Sequence, residues 1–295
     1  MLIVKVEATS ANVCVGFDVL GIALNLVNEF TFERKNEFSF KGFDKEYLTK
    51  ENNLVYEAYK TVFDYAKEEL VPVEIGYKGD IPVSRGLGSS SSLIVAGIFA
   101  ANHFLKNKFT KRELFDIATK LEGHPDNVAP AIFGGLVASY EKDGAYYPNI
   151  YPISKDLRFS VIIPNVCVST HEARKVLPKE LSYKDIVWNM SRIVNLPRAF
   201  SLGDIGLLKD LFSDRLHEPY RSKLIPGYDE IKNAVKDLDC AFSISGSGST
   251  MLLVHKDIKI VDEIKDLGYE IKTLEVGKGV VVEETYEGWW ILCNS

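Results

Sequence analysis

Apolar and polar residues alternate with a period of two over residues 2–8 (LIVKVEA), 30–35 (FTFERK), 37–43 (EFSFKGF) and 73–79 (VEIGYKG). That alternation predicts strands in the first third of the chain. The period changes to that of a helix over 53–69, where Val55, Tyr59, Val62, Phe63 and Ala66 fall on one face. A nearly uncharged run predicts a second helix over 89–106. A third begins at Thr110-Lys111-Arg112-Glu113, a Thr-x-x-Glu capping box, and carries Leu114, Ile117, Ala118 and Leu121 to about Glu122. Strands follow at 134–140 and 159–163, and helices at 171–177, 183–200, 204–214 and 227–237. The end reads as strand 240–245, loop, strand 250–254, helix 257–266, strand 269–275 and strand 279–284. Strands first, helices in the middle and a mixed tail make an α+β chain. A boundary falls near 150–155, in the Tyr- and Pro-rich AYYPNIYPIS.

Composition narrows the class of protein. The 295 residues suffice for one or two domains with a sizeable core. There is no internal repeat of fixed period and no low-complexity linker. With 46% hydrophobic and 26% charged residues the chain is ordinary for a globular protein. A formal net charge of −6 leaves no basic excess to neutralise a nucleic-acid backbone. Cys14, Cys167, Cys240 and Cys293 form no CxxC pair and the five His are scattered, which speaks against a zinc site and a disulfide framework. The longest uncharged stretch, 86–102, is too rich in Ser, Gly and Ala for a membrane span, and the first residues read as a strand and not as a signal peptide. These features predict a soluble cytoplasmic protein.

The run PVSRGLGSSSS (82–92) opens the second helix. The first turn of a helix presents N–H groups without intrahelical partners, and the macrodipole adds positive charge there. Glycine lets an anion approach the backbone and permits positive φ, so Gly86 and Gly88 before Ser89, Ser90 and Ser91 read as a phosphate cradle. Serine hydroxyls also suit Mg²⁺, which prefers hard oxygen ligands. The spacing matches neither GxxxxGK[ST] nor GxGxxG. The structural alternative, a turn with a Ser N-cap, needs one serine and not four.

Two further runs stand out. LEGHPDNVAPAIFGGLV (121–137) gathers Glu122, His124, Asp126 and Asn127 at the end of the third helix, where the dipole disfavours acids. A metal-ligand role for Glu122 fits that position; for His124 and Asp126, turn chemistry around Pro125 competes with a functional role. FSISGSGSTMLLV (242–254) reads on its own as a glycine hairpin between two strands.

These three stretches, in this order, resemble the GHMP kinase superfamily. Residues 82–92 resemble its PxxxGLGSSAA phosphate-binding motif, with Ser91-Ser92 in place of the usual Ala pair. Residues 242–250 resemble its C-terminal glycine motif, reading SGSGST where a Pro usually follows SGSG. Within the superfamily, EATSANVCVGFDVLGIAL (7–24), EGHPDNVAPAIFGG (122–135), STHEAR-x3-P (169–178) and EPYRSKLIP (218–226) look like the branch that acts on L-homoserine. The resemblance runs to about residue 284, and EGWWILCNS (287–295) lies beyond it.

The resemblance implies two domains. The first, 1–152, would bind ATP and resemble domain 2 of ribosomal protein S5, with a left-handed crossover; the second, 153–295, would be a ferredoxin-like α/β sandwich. It implies an ATP:L-homoserine O-phosphotransferase, which makes O-phospho-L-homoserine for threonine biosynthesis with Mg²⁺ as cofactor. By analogy with relatives it is a homodimer. Residues Pro82, Val83, Ser84, Arg85, Gly86, Leu87, Gly88, Ser89, Ser90, Ser91 and Ser92, with Asn53 near the adenine, would hold ATP. Ser90 and Glu122 would carry Mg²⁺ and, with Asn127, form the catalytic set. Arg174 and Arg221 would fork onto the acceptor carboxylate and Asp18 would pair with its ammonium. Asn12, His124, Asp126 and Asn127 would surround the ammonium and hydroxyl end. Taken alone, each arginine reads equally as a surface ion pair and Asp18 as a turn residue. Two alternatives stand beside this expectation: a superfamily kinase for mevalonate or shikimate, and a ligand sensor that keeps the fold without turnover.

Overall fold

The computed structural model describes residues 1–285, so the tail 287–295 lies outside the described residues. The first half of the chain runs β1 (Leu2–Ser10), β2 (Leu20–Arg34), β3 (Ser39–Lys41), α1 (Leu54–Ala66), β4 (Val73–Gly79), α2 (Ser89–Phe104), α3 (Lys111–Glu122), α4 (Pro125–Phe133), β5 (Leu136–Lys142) and β6 (Ala145–Tyr151). The second half runs β7 (Arg158–Ile163), α5 (Thr170–Lys175), α6 (Tyr183–Ile193), α7 (Leu196–Leu202), α8 (Ile205–Leu211), α9 (Glu218–Arg221), α10 (Tyr228–Val235), β8 (Cys240–Ile244), β9 (Met251–His255), β10 (Glu270–Leu274) and β11 (Val281–Glu284).

One sheet has the order β11-β1-β2-β4-β3, with β5 pairing to β2 and β6 to β5. Leu2, Val4 and Val6 of β1 alternate with half-buried neighbours, and their buried face meets α1 to α4 in one core. The second sheet has the order β10-β7-β9-β8, all antiparallel. Counted from β7 that is strand order four-one-three-two, the ferredoxin-like arrangement. Its one face packs on α10 through Ile231 and Val235. Its other face shares a core with the first sheet, where Phe159, Val161 and Leu252 meet Ala8, Ile22, Leu24 and Leu136. This common core fixes the two sheets against each other, and the loops at their junction form the site. Among the described residues no helix is long and apolar enough to cross a membrane.

The structure revises several sequence expectations. The strand expected at 30–35 is the far end of β2, which starts at Leu20. Its first five residues, LGIAL, are buried on both faces and show no alternation to detect. The strand expected at 37–43 shrinks to β3. The expected 183–200 helix divides into α6 and α7 at Val194-Asn195, ahead of Pro197 in the first turn of α7. The expected 257–266 helix is two 3₁₀ turns, Ile258–Val261 and Lys265–Leu267; Ile258, Ile260, Val261 and Ile264 crowd a helix at χ1. Helix α4 and strand β6 were not anticipated. The boundary expected near 150–155 falls between β6 of the first sheet and β7 of the second. Strand β11, assigned by sequence to the second domain, instead pairs antiparallel with β1 in the first sheet.

Candidate active site

The phosphate-loop candidate lies where its sequence requires. Gly86 has φ +76, and a Cβ there would stand 2.2 Å from the Ser245 carbonyl oxygen. Gly88 is the N-cap of α2 with φ +70, and a Cβ there would stand 2.0 Å from Thr9 Oγ1. Only glycine meets both demands. The serines do not cap the helix: Gly88 makes no side-chain cap, and the first turn holds no acid. Ser92 Oγ donates to the Ser89 carbonyl at 2.7 Å. Ser90 and Ser91 donate to the two carboxylate oxygens of Glu122 at 2.9 and 2.8 Å. The first-turn N–H groups of α2 therefore have no side-chain acceptor and remain available to an anion.

The third sequence run buttresses this loop. Between β8 and β9, Ser245 Oγ donates to the Gly86 carbonyl at 2.6 Å, and the Thr250 N–H donates to the Arg85 carbonyl at 3.1 Å. From the other side the Thr9 N–H donates to the Leu87 carbonyl at 3.1 Å. The hairpin expected at 242–254 is present, and its loop holds the candidate phosphate loop in place.

Glu122 is the last residue of α3, which ends on Gly123 at φ +89. The chain then turns directly into α4, with His124 as N-cap and Pro125 at the first position. Asp126 thus sits in the first turn of a helix, where the dipole favours an acid. This corrects its reading as an acid at a helix end or in a turn. His124 Nδ1 lies 2.6 Å from Asp126 Oδ1. Burial disfavours the imidazolium, but the hydrogen bond and charge of Asp126, with Glu122 and Asp18, outweigh it and hold His124 above its ordinary pKa. Asn127 Oδ1 accepts from Thr9 Oγ1 at 2.7 Å.

The loop between β1 and β2 supplies Asn12 and Asp18, both at positive φ. Asn12 Oδ1 accepts from the Asp18 N–H at 2.9 Å, and Asn12 Nδ2 donates to the Gly246 carbonyl at 3.0 Å. Arg174, in the last turn of α5, makes a two-pronged ion pair with Asp18 at 2.8 and 3.0 Å. Arg221 is 2% exposed and donates to the carbonyls of Ala173 and Gly246 at 3.2 and 3.0 Å. Burial and the neighbouring Arg174 lower its pKa, against Asp18 and Asp126.

A cavity of about 310 Å³ joins these groups. Asn12, Asp18, Asn53, Val83, Ser84, Arg85, Gly86, Gly88, Ser89, Ser90, Glu122, His124, Asp126, Asn127, Arg174 and Arg221 all line it. Pro82, Leu87, Ser91 and Ser92 do not. Leu87 is in the core, and the Ser91 and Ser92 hydroxyls are taken by Glu122 and the α2 backbone. Asn53 caps α1 through the Tyr56 N–H and donates to the Tyr47 carbonyl, so its amide shapes the cavity wall from within the protein. Sequence reasoning missed Phe43, Tyr47, Leu54, Tyr77 and Leu93, an apolar lining suited to a base. It also missed Val168, Thr170, Gly246 and Ser247. The quoted STHEAR and SGSG runs contain the last three, while the aromatic lining comes from separate elements and leaves no local pattern. Among the described residues no group of three or more His, Cys, Asp or Glu suits a metal ion.

Comparison with known proteins gives this arrangement its class. Residues 53–135 match the family model of the GHMP kinases N terminal domain, and 194–268 match GHMP kinases C terminal. The chain belongs to the GHMP kinases. It is 46% identical to the homoserine kinase of Clostridium beijerinckii over 93% of both chains. It is 39% identical to the homoserine kinase of Clostridium botulinum strain Alaska E43, over 96% of this chain and 98% of that one. A crystal structure of homoserine kinase from Cytophaga hutchinsonii superposes with a TM-score of 0.85 at 28% identity, covering 96% of this chain and 97% of the other. Within the GHMP kinases it is therefore to the homoserine kinase family that the chain belongs.

Proposed function

We propose that the protein transfers the γ-phosphoryl group of ATP to the side-chain hydroxyl of L-homoserine, giving O-phospho-L-homoserine for threonine biosynthesis. The observation that carries this reading is the single cavity in which the open N-terminus of α2 and the Asp18, Arg174 and Arg221 cluster face one space. One end suits a polyphosphate, the other a small zwitterion. The reading places the enzyme in the cytoplasm and, by analogy with its relatives, as a homodimer.

Phosphoryl transfer needs positioning and charge neutralisation above all. In this reading the N–H groups of residues 86–91 hold the β- and γ-phosphates, and the apolar wall beside Asn53 takes the adenine. Ser90 Oγ and Glu122 Oε2, 2.9 Å apart at the cavity edge, are hard oxygens that fit Mg²⁺ with its remaining ligands from phosphate and water. Bound there, Mg²⁺ supplies charge neutralisation on the phosphates. Arg174 and Arg221 grip the acceptor carboxylate. Asp18, already held by Arg174, accepts the ammonium. Asn127, held by Thr9, stands with Asn12, His124 and Asp126 around the hydroxyl. No residue is assigned as general base: in a loose transition state the hydroxyl proton leaves late and passes to the phosphate itself.

The test is ATP-dependent phosphorylation across a panel of L-homoserine, mevalonate, shikimate and galactose, followed by ADP release and product analysis. The reading expects kcat/KM for L-homoserine to exceed the others by at least about a thousandfold, because a site built for polar groups rejects acceptors lacking them. Preference for another acceptor would replace it. L-homoserine binding without turnover of any acceptor would favour a ligand sensor.

A further inference from the structure

Behind the two arginines of the cavity lies an aromatic side chain to which none of the roles above is given. Phe17 lies in the loop between β1 and β2, next to Asp18. The guanidinium carbon of Arg221 is 5.1 Å from the centre of the Phe17 ring, and that of Arg174 is 5.7 Å from it. Both distances are within the reach over which a ring face attracts a cation. The His217 ring is 5.4 Å from Phe17 at an interplanar angle of 31°. His217 is itself fully buried and fixed through Nε2, 3.0 Å from the Cys14 carbonyl oxygen. Phe17 is therefore backed by an immobile neighbour and presented to two cations.

The charge count gives the ring its purpose. Two guanidinium groups share the site with Asp18, which is committed to Arg174, and with Asp126, which is bonded to His124. Arg221 is buried, bonds to two carbonyls and forms no ion pair among the described residues. Two like charges held this close repel, and a buried guanidinium without a counter-ion is costly. The negative face of an aromatic ring offsets part of that cost without supplying a full charge that would compete with an incoming carboxylate.

We propose that Phe17 is a positioning residue for acceptor binding: its ring is the shared platform that holds Arg174 and Arg221 ready for one carboxylate. The proposal rests on the reading of L-homoserine as the acceptor, and concerns a residue that touches the arginines and not the reacting atoms. An aliphatic side chain of similar bulk fills the same space but has no charged face to offer, whereas Tyr keeps the ring.

The experiment compares Phe17→Leu and Phe17→Tyr in the full chain, with L-homoserine and with L-homoserine amide, whose carboxylate is masked. Phe17→Leu is expected to raise the KM for L-homoserine about tenfold, the scale of one desolvated cation–ring contact. KM for ATP and kcat are expected to stay within about twofold, the KM for the amide to change by less than about twofold, and Phe17→Tyr to restore L-homoserine binding. An equal rise for both acceptors, an unchanged KM for L-homoserine, a matching loss in kcat or ATP binding, or a Tyr variant no better than Leu would each overturn the proposal. Failure of the wild-type enzyme to phosphorylate L-homoserine is a separate result, read before any variant is compared, and would remove the acceptor assignment itself.

Discussion

Arg221→Leu raises the KM for L-homoserine by about 30-fold to 5,000-fold and leaves the KM for ATP within about threefold. The range follows from the roughly 2–5 kcal/mol that removal of one partner of a buried charged pair costs. Arg221 is 2% exposed, so a carboxylate that meets it is stripped of water and depends on the guanidinium. The split between the two substrates follows from its partners: the Arg221 guanidinium bonds to the Ala173 and Gly246 carbonyls and to none of residues 86–91. Because Arg221 also ties α9 to the Ala173 and Gly246 carbonyls, Arg221→Lys is the companion variant. It keeps a cation and loses the two-pronged geometry, so its KM lies between wild type and Leu. Steady-state kinetics with each substrate varied in turn makes the measurement, and an unchanged L-homoserine KM in both variants removes Arg221 from the site.

Glu122→Gln lowers kcat by about a hundredfold to a thousandfold, the usual scale for losing one group that stabilises developing charge. The substitution keeps the length of the side chain and removes its charge. In the native enzyme that carboxylate accepts from Ser90 and Ser91 at once, which aims both oxygens at the mouth of α2. The variant also needs more Mg²⁺ for half-maximal rate, since one anionic ligand is gone. Titration of Mg²⁺ at saturating ATP and L-homoserine checks both effects together; full activity with unaltered metal dependence refutes the ligand role.

Legibility in the sequence followed physical locality. The capping box at Thr110 and Glu113 is present with both of its hydrogen bonds. The positive φ of Gly86 and Gly88 ahead of α2 was readable because small residues before a helix are a local signal, and it keeps this loop a candidate phosphate cradle. Helix α4 was not readable, since its nine residues carry Pro125 at the start and Pro130 inside and so imitate a turn. Missing it left Asp126 without its dipole explanation. The strand β2 hid because burial on both faces erased its period. In the site, Asp18, Arg174 and Arg221 came from family resemblance and not from spacing; a separation of 156 residues joins Asp18 to Arg174. The burial of Arg221, the platform under it and the aromatic wall of the cavity are products of tertiary packing and have no one-dimensional signature. Even the SGSG run declared only its hairpin, because its hold on Gly86 acts across 159 residues.

A crystal structure with a non-hydrolysable ATP analogue and L-homoserine bound together tests the central claim most directly. The account predicts β- and γ-phosphate oxygens about 3 Å from backbone nitrogens of residues 86–91, with the acceptor carboxylate on Arg174 and Arg221 in the same cavity. Phosphates bound away from the start of α2, or an acceptor carboxylate that touches neither arginine, would contradict it.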